Sequence, residues 1–570
     1  MPLIRVERNR IAGSFPLGRD RRRRRVLACC LVGLSLVSAC DGSSGDEPNG
    51  RTVESRDLVS EACRLPRSWI SRIWRGTEPS RSPDIITVPR TPNFYAGFPS
   101  GGFEGTSHSG VWGYLQEVPL VLYGPGFIRS QGPVRLERPV TLADVAPTQA
   151  RLLDPRVQIG GPGRPFIKAL VPEGRRISSP KIILTVVWDG GGWNVLRRWR
   201  SEWPYLSKLA RRGTSILGAT VGSSPSVTPS VHATLGTGRY PRQHQVVDAQ
   251  MRVGGEVHAS WARSSPKDLE APTLADVYDP LTNNRAKIGM VAFRSWHLGM
   301  IGHGSFMRGG DKDVAVMNHR DSRLFTQPHW YSLPAGLADP IGLQRGAASV
   351  DVFDGRRDGR WRDHDVLADP SHIFESPAWP LYQTRLIEGL IEKDGFGRGG
   401  PTDLLYTNFK QIDLLGHAYN MLNREVGDAV HFSDVALKQL VRVLNREVGR
   451  KEWVLMLTAD HGQQPNALSV GGWPIGTDEL ISDLTSHFGV GEEIVEIWRP
   501  TGVWLDHEEM KRADPTTDEI AQFLAGYTLR ESASEPAQVP EQFQSRLAER
   551  VFQAVFPSEN LEEVWECGWG

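Results

Sequence analysis

Two short segments carry Asp and His side chains at spacings that suit metal binding. Asp413 and His417 stand four residues apart in Asp-Leu-Leu-Gly-His, so they share a face if the segment is helical. Asp460 and His461 are adjacent in Ala-Asp-His-Gly, further along the chain. Carboxylate and imidazole ligands together suit zinc or a similar divalent ion. Either pair alone could also belong to a capped helix or a surface turn, so the interpretation depends on the other motifs.

A threonine in a turn rich in Gly, Ser and Pro is a candidate nucleophile. Thr228 follows Gly222-Ser-Ser-Pro-Ser-Val and precedes a helix-like stretch that carries His232. The N-terminus of a helix favours an anion, and a metal ion makes a hydroxyl available as an alkoxide near neutral pH. Taken alone, Thr228 could instead be the N-cap of that helix.

Strands and helices alternate around these residues. Residues 181–188 form a continuous apolar, β-branched run, which is typical of a strand buried on both faces of a parallel sheet. The same patterns predict further strands at 287–293, 403–409 and 453–458, and helices at 202–212, 382–393 and 429–446. This alternation predicts an α/β fold with helices on both faces of the sheet.

The candidate residues follow the predicted strands. Asp189, Asp413 and Asp460 each come within a few residues of a predicted strand end. Ligands of open α/β sheets bind beyond the carboxyl ends of the strands. We therefore expect these carboxylates to lie along one rim of the sheet.

The composition indicates a large globular fold without a dominant charge. The chain has 570 residues, of which 39% are hydrophobic and 23% charged. Lys and Arg together number 66, as do Asp and Glu, so no net positive field points to nucleic acid as a partner. We expect no nucleic-acid-binding surface, and any attraction for phosphate must be local.

The first 40 residues are typical of an export signal. Residues 21–25 are all arginine, residues 26–37 are apolar but shorter than a membrane span, and Val-Ser-Ala precedes Cys40. This pattern resembles a bacterial lipoprotein signal peptide (1–40), with Cys40 lipidated on the outer face of the cytoplasmic membrane. An uncleaved anchor or an ordinary secretory signal is the alternative, and the arginines also permit twin-arginine export.

The residues after the signal peptide are predicted to form a flexible tether. Residues 41–50 are rich in Gly, Ser and Asp, and the tether is taken to extend over 41–65. Once Cys40 is acylated, Cys63 and Cys567 are the remaining cysteines. They could pair in an oxidising compartment, but the sequence does not decide whether they meet.

Together, the motifs resemble those of the alkaline phosphatase superfamily. The most similar branch is the type I phosphodiesterase and nucleotide pyrophosphatase group, and the resemblance runs from about residue 182 to residue 462. The matching segments are Trp188-Asp189-Gly190, Val227-Thr228-Pro229 with His232, Asp413-x-x-Gly416-His417 and Ala459-Asp460-His461-Gly462.

The resemblance implies a fold, a metal content and a set of ligands. The fold would be an alkaline-phosphatase-like α/β/α sandwich with a central, mostly parallel sheet and an inserted cap. The cofactors would be two divalent metal ions, expected to be zinc. One ion would be bound by Asp189, Thr228, Asp460 and His461, and the other by Asp413 and His417.

The family's second metal has a third ligand, a histidine usually found late in the chain in a Gly-Thr-x-His setting. His487 and His507 lack that setting, whereas His108 has it in Gly-Thr-Ser-His. The flanking segments 118–126 and 140–153 resemble the C-terminal part of the family's domain. We interpret the chain as circularly permuted, a rearrangement that is physically cheap where chain termini lie close together. His108 is then the missing ligand, and a solvent-facing loop histidine is the alternative.

We interpret residues 66–570 as one catalytic domain that is built from several segments. The moved C-terminal segment would be 66–170, the core would be 180–295 and 377–465, and residues 296–376 would form a cap that selects the substrate. Trp296, His297 and His303 in the cap are candidates for lining the pocket, although plain packing is the commoner role of buried aromatic residues. The tail is predicted to contain a strand at 502–505 and a helix at 517–527.

The resemblance implies a phosphodiesterase or nucleotide pyrophosphatase that hydrolyses phosphoric esters in two steps. Thr228 would attack phosphorus and form a phosphothreonine, which water would then hydrolyse.

Many family members have an Asn where this chain has Ala249, and the Asn amide donates to a non-bridging phosphoryl oxygen. Loss of such a hydrogen-bond donor can cost roughly 10²- to 10³-fold in rate. Thr228-Pro-Ser-Val does not fit the sulfatase motif. The alternatives are a phosphomonoesterase of the same fold and a catalytically silent surface-binding lipoprotein.

Overall fold

The structure is a computed structural model, and it describes residues 55–95, 107–176, 178–319, 321–533 and 539–569. The predicted signal peptide, Cys40 and residues 41–54 of the predicted tether lie outside the described residues. Within those described ranges, no helix has both the length and the apolar character needed to cross a membrane.

Strands occur throughout the described chain. They are β1 (Ile85–Pro89), β2 (Phe94–Tyr95), β3 (Leu120–Tyr123), β4 (Gly132–Thr141), β5 (Ile182–Trp188), β6 (Thr214–Thr220), β7 (Gln250–Val253), β8 (Glu256–Ala259), β9 (Ile288–Ala292), β10 (Val314–Asn318), β11 (Leu324–Phe325), β12 (Asp403–Phe409), β13 (Trp453–Thr458), β14 (Pro474–Ile475), β15 (Val495–Arg499), β16 (Gly502–Leu505) and β17 (Phe552–Pro557).

Helices connect most of these strands. They are α1 (Leu58–Cys63), α2 (Arg67–Gly76), α3 (Gly113–Gln116), α4 (Val145–Ala150), α5 (Trp193–Arg198), α6 (Pro204–Arg212), α7 (Thr228–Thr237), α8 (Pro241–His244), α9 (Leu274–Leu281), α10 (Pro340–Asp351), α11 (Trp379–Glu392), α12 (Gln411–Tyr419), α13 (Arg424–Val443), α14 (Thr477–Phe488), α15 (His507–Met510), α16 (Thr517–Gly526) and α17 (Leu561–Trp569).

The main sheet has nine strands in the order β11-β10-β9-β12-β5-β13-β3-β6-β4. The strands β10, β9, β12, β5, β13, β6 and β4 all run in one direction, and only β3 and β11 run against them. The sheet is therefore mostly parallel, which confirms the predicted fold class.

Successive residues of β5 pack into different cores, which explains why its sequence is apolar throughout. Ile182, Leu184 and Val186 belong to a cluster that is covered by α5, α6, α10, α11, α12 and α13. Ile183 and Val187 face the other side, where α4, α7 and α9 pack. A strand buried on both faces has no polar side to expose, so the pattern of alternating polar residues is absent.

The segment upstream of residue 180 is built into this sheet. β3 lies between β13 and β6 and pairs with both, and β4 forms the edge beyond β6. Residues from the predicted moved segment therefore complete the sheet that the core strands begin. The circular permutation itself stays a prediction.

A second sheet joins the two ends of the described chain, and only its strand at 502–505 was predicted from the sequence. Its order is β15-β16-β1-β17, with antiparallel pairing throughout. Cys63 in α1 and Cys567 in α17 form a disulfide with their Cα atoms 5.8 Å apart. The two cysteines that could pair in the sequence do therefore meet.

Two predicted boundaries need correction. Residues 58–63 of the predicted tether form α1, because Leu58 and Ala62 are buried in a hydrophobic cluster with residues of β1, β16 and β17. Asp57 accepts a hydrogen bond from Ser60 N at the helix start. The predicted cap, 296–376, contains β10 and β11, which extend the main sheet beyond β9. That part of the segment belongs to the core rather than to a cap.

Candidate active site

The predicted site residues come from one rim of the main sheet. Asp189 directly follows β5, Asp460 and His461 follow β13, and Asp413 lies in the first turn of α12, just after β12. His108 precedes β3, and because β3 runs against its neighbours its amino end lies at this same rim. The arrangement agrees with the expectation that ligands bind at the carboxyl ends of parallel strands.

Thr228 is the first residue of α7 and is only 4% exposed. Val227 occupies the N-cap position, and no side chain caps the helix, so Thr228 is not the N-cap. Its Oγ1 instead accepts a hydrogen bond from Lys410 Nζ at 3.1 Å. His232 Nδ1 donates to the Thr228 carbonyl at 2.7 Å, which ties the first turn of the helix together.

Asp189, Asp460 and His461 form the first group of potential metal ligands. Each offers one ligand atom, and these atoms lie within 4.8 Å of one another. His461 Nε2 is 3.3 Å from Asp460 Oδ2 and 3.6 Å from Asp189 Oδ1. All three side chains are fully buried.

His108, Asp413 and His417 form the second group, again with ligand atoms within 4.8 Å of one another. Asp413 Oδ1 lies 3.4 Å from His108 Nε2 and 3.3 Å from His417 Nε2. His108 also stacks on His461 of the first group, with ring centroids 3.5 Å apart. The two groups therefore lie side by side, and the upstream histidine belongs to the second of them.

The hydrogen bonds of the histidines leave lone pairs that face the carboxylates. The Nδ1 atoms of His108 and His461 donate to backbone carbonyls, each at 2.9 Å, so their Nε2 atoms carry the lone pairs. Asp413 Oδ1, Asp460 Oδ2 and His461 Nε2 are buried and have no hydrogen-bond partner among the described residues. Such atoms are rarely left unpaired, and a cation between them would satisfy them. The residues present therefore fit a divalent metal in each group.

Gly190 explains the Trp-Asp-Gly motif. It has a φ of +68°, and a Cβ atom there would lie 2.9 Å from the Cα of Asp413. Its N–H also donates to Asp460 Oδ1 at 3.0 Å. Any larger residue would push the two ligand groups apart, so the close approach of Asp189 and Asp413 requires glycine.

Lys410 is a buried cation between the two groups, and none of the sequence motifs predicted its role. Its Nζ lies 2.9 Å from Asp189 Oδ1 and 2.6 Å from Asp413 Oδ2, in addition to its bond to Thr228. Its side chain is only 6% exposed. The available signal was its position three residues before Asp413, which places the two side chains on one face of a helical turn.

Asn408 and His297 contact the other side of Asp189. Asn408 Nδ2 donates to Asp189 Oδ2 at 2.9 Å and to His232 Nε2 at 3.1 Å, while His297 Nε2 lies 3.5 Å from Asp189 Oδ2. Both nitrogens of His232 are thus engaged in hydrogen bonds, so His232 is not available as a metal ligand beside Asp189. Asn408 was also missed, although it lies at the end of a predicted strand.

The two other cap candidates differ in their surroundings. Trp296 is half-buried, and its ring lies 5.8 Å from Lys410 Nζ, so it lies beside the site. His303 is buried away from the metal groups, with Nδ1 bonded to Asp276 Oδ2 and Nε2 to the Leu269 carbonyl. His303 therefore packs within the fold, as the alternative interpretation had it.

The electrostatics of the site follow from burial and from the crowding of charges. Burial alone would lower the pKa of Lys410, but Asp189 and Asp413 hold it above its ordinary value. Burial, and then the neighbouring Asp189, raise the pKa of Asp460 well above its usual range. Burial, and then His461, hold the pKa of His108 well below its usual value. Three carboxylates therefore share one lysine, and further positive charge would be stabilised here.

The side chain of Ala249 has no polar atom. It lies directly before β7, and its carbonyl accepts a hydrogen bond from Ser260 N at 3.0 Å. The effect expected from the missing Asn amide stays a prediction.

The chain's sequence also matches a known family. A sequence model described as Type I phosphodiesterase / nucleotide pyrophosphatase matches residues 183–565, which is more than half of the chain. The chain belongs to this family. The match extends about 100 residues beyond the resemblance found from the motifs and begins after the upstream segment that carries His108. Membership of the alkaline phosphatase superfamily is thereby confirmed.

Individual relatives are distant. The chain is 20% identical over 335 residues to alkaline phosphatase PhoV of Synechococcus elongatus, covering 50% of this chain and 60% of that protein. It is 21% identical over 336 residues to alkaline phosphatase PafA of Elizabethkingia meningoseptica, with the same two coverages. A crystal structure of a PafA variant has 16% identity and a TM-score of 0.47, covering 67% of this chain and 85% of that one. The chain thus spans about three fifths of the curated phosphatases that it matches.

Proposed function

We propose that the protein is a two-metal phosphoric-ester hydrolase of the phosphodiesterase type, with Thr228 as its nucleophile. One observation carries the proposal: a lysine that donates to a threonine oxygen at the start of a helix also contacts an aspartate of each of two groups of Asp and His side chains. When bound, two divalent ions, expected to be zinc, would neutralise the phosphoryl charge and activate oxygen nucleophiles. Asp189, Asp460 and His461 would hold one ion together with Thr228, and His108, Asp413 and His417 the other.

The chain's own residues suggest a division of labour. Thr228 Oγ1 would attack phosphorus in line, so that a threonine O–P bond forms and the bond to the leaving oxygen breaks. Water would then hydrolyse the phosphothreonine and restore the free hydroxyl. Lys410 already donates to Thr228 Oγ1, so it is placed to stabilise negative charge on that oxygen. The N-terminus of α7 favours negative charge at the same point.

Phosphomonoester hydrolysis is the second candidate, and Lys410 favours it. A monoester carries one more negative charge than a diester, and a lysine ammonium beside the nucleophile would stabilise that charge. Two relatives of the chain are alkaline phosphatases, which supports the same candidate. The ratio of turnover of bis-nitrophenyl phosphate to that of nitrophenyl phosphate would separate the two.

The test of the nucleophile uses the full zinc-loaded chain with both esters. Thr228→Ser keeps a hydroxyl and should retain measurable turnover, whereas Thr228→Ala should lose roughly 10³-fold or more in kcat. Rapid acid quenching should trap phosphate on wild-type protein and on the serine variant. Bound zinc without hydrolysis of either ester would instead favour the silent surface-binding lipoprotein.

We also propose that the protein is exported and anchored through a lipid on Cys40. The disulfide between Cys63 and Cys567 supports an oxidising compartment, since such bonds rarely persist in the cytosol. Labelled fatty acid should be incorporated into the wild-type chain and not into Cys40→Ala. Incorporation into both would refute the lipid site while leaving the hydrolase proposal intact.

A further inference from the structure

Four aspartates lie together near the amino end of β10, at the rim of the main sheet opposite the candidate active site. Asp276 and Asp279 are in α9, and Asp311 and Asp313 directly precede β10. β10 runs parallel to β9, β12 and β5, so its amino end lies away from the rim that carries Asp189. This cluster is therefore separate from the metal groups described above.

Three of these carboxylates could converge on one ion. Asp279, Asp311 and Asp313 each offer an oxygen, and the three oxygens lie within 4.8 Å of one another. Asp279 is 4% exposed and Asp313 is 7% exposed, whereas Asp311 is exposed. The group thus has two buried members and one member open to solvent, from which an ion could enter.

Asp276 stabilises the local fold and is not available as a ligand. Its Oδ2 accepts hydrogen bonds from Thr273 N and from His303 Nδ1, both at 2.8 Å, and its Oδ1 accepts from His303 N at 2.8 Å. Its charge is therefore shared with His303. Among the residues that the structure describes, no Lys, Arg or His forms an ion pair with the other three carboxylates. Lys312 lies between two of them in sequence, but its Nζ donates to the Pro328 carbonyl instead.

The observation that points to a ligand is an orphaned oxygen. Asp279 Oδ1 is buried and has no hydrogen-bond partner among the described residues. Buried polar atoms are nearly always paired, and a buried carboxylate beside like charges is costly unless a proton or a cation neutralises it. In agreement with this, burial and then Asp311 raise the pKa of Asp279 to about 7. Burial and then Asp279 hold the pKa of Asp313 well above its usual range.

We propose that Asp279, Asp311 and Asp313 bind a calcium ion at a structural site of their own. The donors are all carboxylate oxygens, which suit hard cations rather than zinc. Calcium accepts irregular sets of oxygen ligands completed by water, whereas magnesium demands near-ideal octahedral geometry. A bound ion would join the end of α9 to the start of β10 and so fix an outer strand of the main sheet.

The experiment measures calcium binding to the full zinc-loaded chain. Equilibrium dialysis should find about one calcium per chain, and calcium at about 100 times its Kd should raise Tm by roughly 3 °C. Asp279→Asn and Asp313→Asn should each abolish this rise, and the exposed Asp363→Asn is the matched control that should keep it. Asp311→Asn is a milder variant in case the buried positions do not tolerate substitution.

Further arms separate this site from the catalytic one. Asp413→Asn should weaken zinc binding and keep the calcium-dependent rise in Tm. The proposal is overturned if wild-type Tm does not respond to millimolar calcium, or if the response persists in Asp279→Asn and Asp313→Asn. A response to magnesium without one to calcium would overturn the choice of ion.

Discussion

Replacing Lys410 with methionine tests whether its ammonium takes the place of a metal between the two ligand groups. Lys410 is buried and contacts Asp189, Asp413 and Thr228. Removing one partner of a buried ion pair leaves an uncompensated charge and costs about 3 to 5 kcal/mol. Metal-free Lys410→Met should therefore be less stable than metal-free wild type by about that amount.

The corresponding change in Tm follows from the size of the fold. At about 2.1 cal/mol/K per residue over roughly 500 folded residues, 1 kcal/mol corresponds to about 1 °C. Metal-free Lys410→Met should thus melt about 3 to 5 °C below wild type in differential scanning calorimetry. With zinc present the difference should shrink, because bound cations would neutralise Asp189 and Asp413 without help from the lysine.

The control and the refuting outcome are both specific. Lys438→Met replaces an exposed lysine in α13 and should change Tm by less than about 1 °C with or without zinc. If metal-free Lys410→Met is as stable as wild type, the ammonium does not compensate the carboxylates. If zinc leaves the difference unchanged, the lysine and the metal do not neutralise the same charges.

Two further predictions concern the upstream histidine and a buried carboxylate. His108→Ala should lose one of two bound zinc ions, as measured by elemental analysis. The control is His487→Ala, which alters a histidine late in the chain and should keep both ions. Equal zinc content in the two variants would show that His108 is not a ligand and would count against the permutation hypothesis. Asp434 accepts hydrogen bonds from Tyr205 N and Leu206 N, and burial raises its pKa to about 6. Because the folded pKa lies above the ordinary 3.8, ionisation of Asp434 should destabilise the fold progressively between about pH 4 and pH 6. Between pH 4.5 and pH 6.5, the Tm of Asp434→Asn should therefore fall less than the Tm of wild type, by roughly 2 to 3 °C. An equal change in Tm for the two proteins over this pH range would contradict the prediction.

The strands of the main sheet could be predicted from the sequence because each is a run of apolar residues with clear ends. β12 and β13 have the predicted bounds, 403–409 and 453–458. The strand ends in turn located Asp189, Asp413 and Asp460. Helix bounds were less accurate: α13 begins at Arg424, five residues before the predicted start, since Val426 is also buried against the core.

Features that depend on distant pairing could not be predicted in this way. In the antiparallel sheet Ile85 pairs with Pro557, and no local pattern in either segment specifies the other. Lys410 was missed for a similar reason, because a lysine near a strand end usually points to solvent. Its role appears only when the first turn of α12 folds over Asp189.

The link between Cys63 and Cys567 spans 504 residues, so nearly the whole folded chain lies inside one covalent loop. A protease that cuts an exposed segment within that loop, such as residues 352–358, would leave both fragments attached to each other. The nicked protein should run as a single band on a denaturing gel without reductant and as two bands with it. A single cleavage of the backbone would then not by itself release half of the molecule.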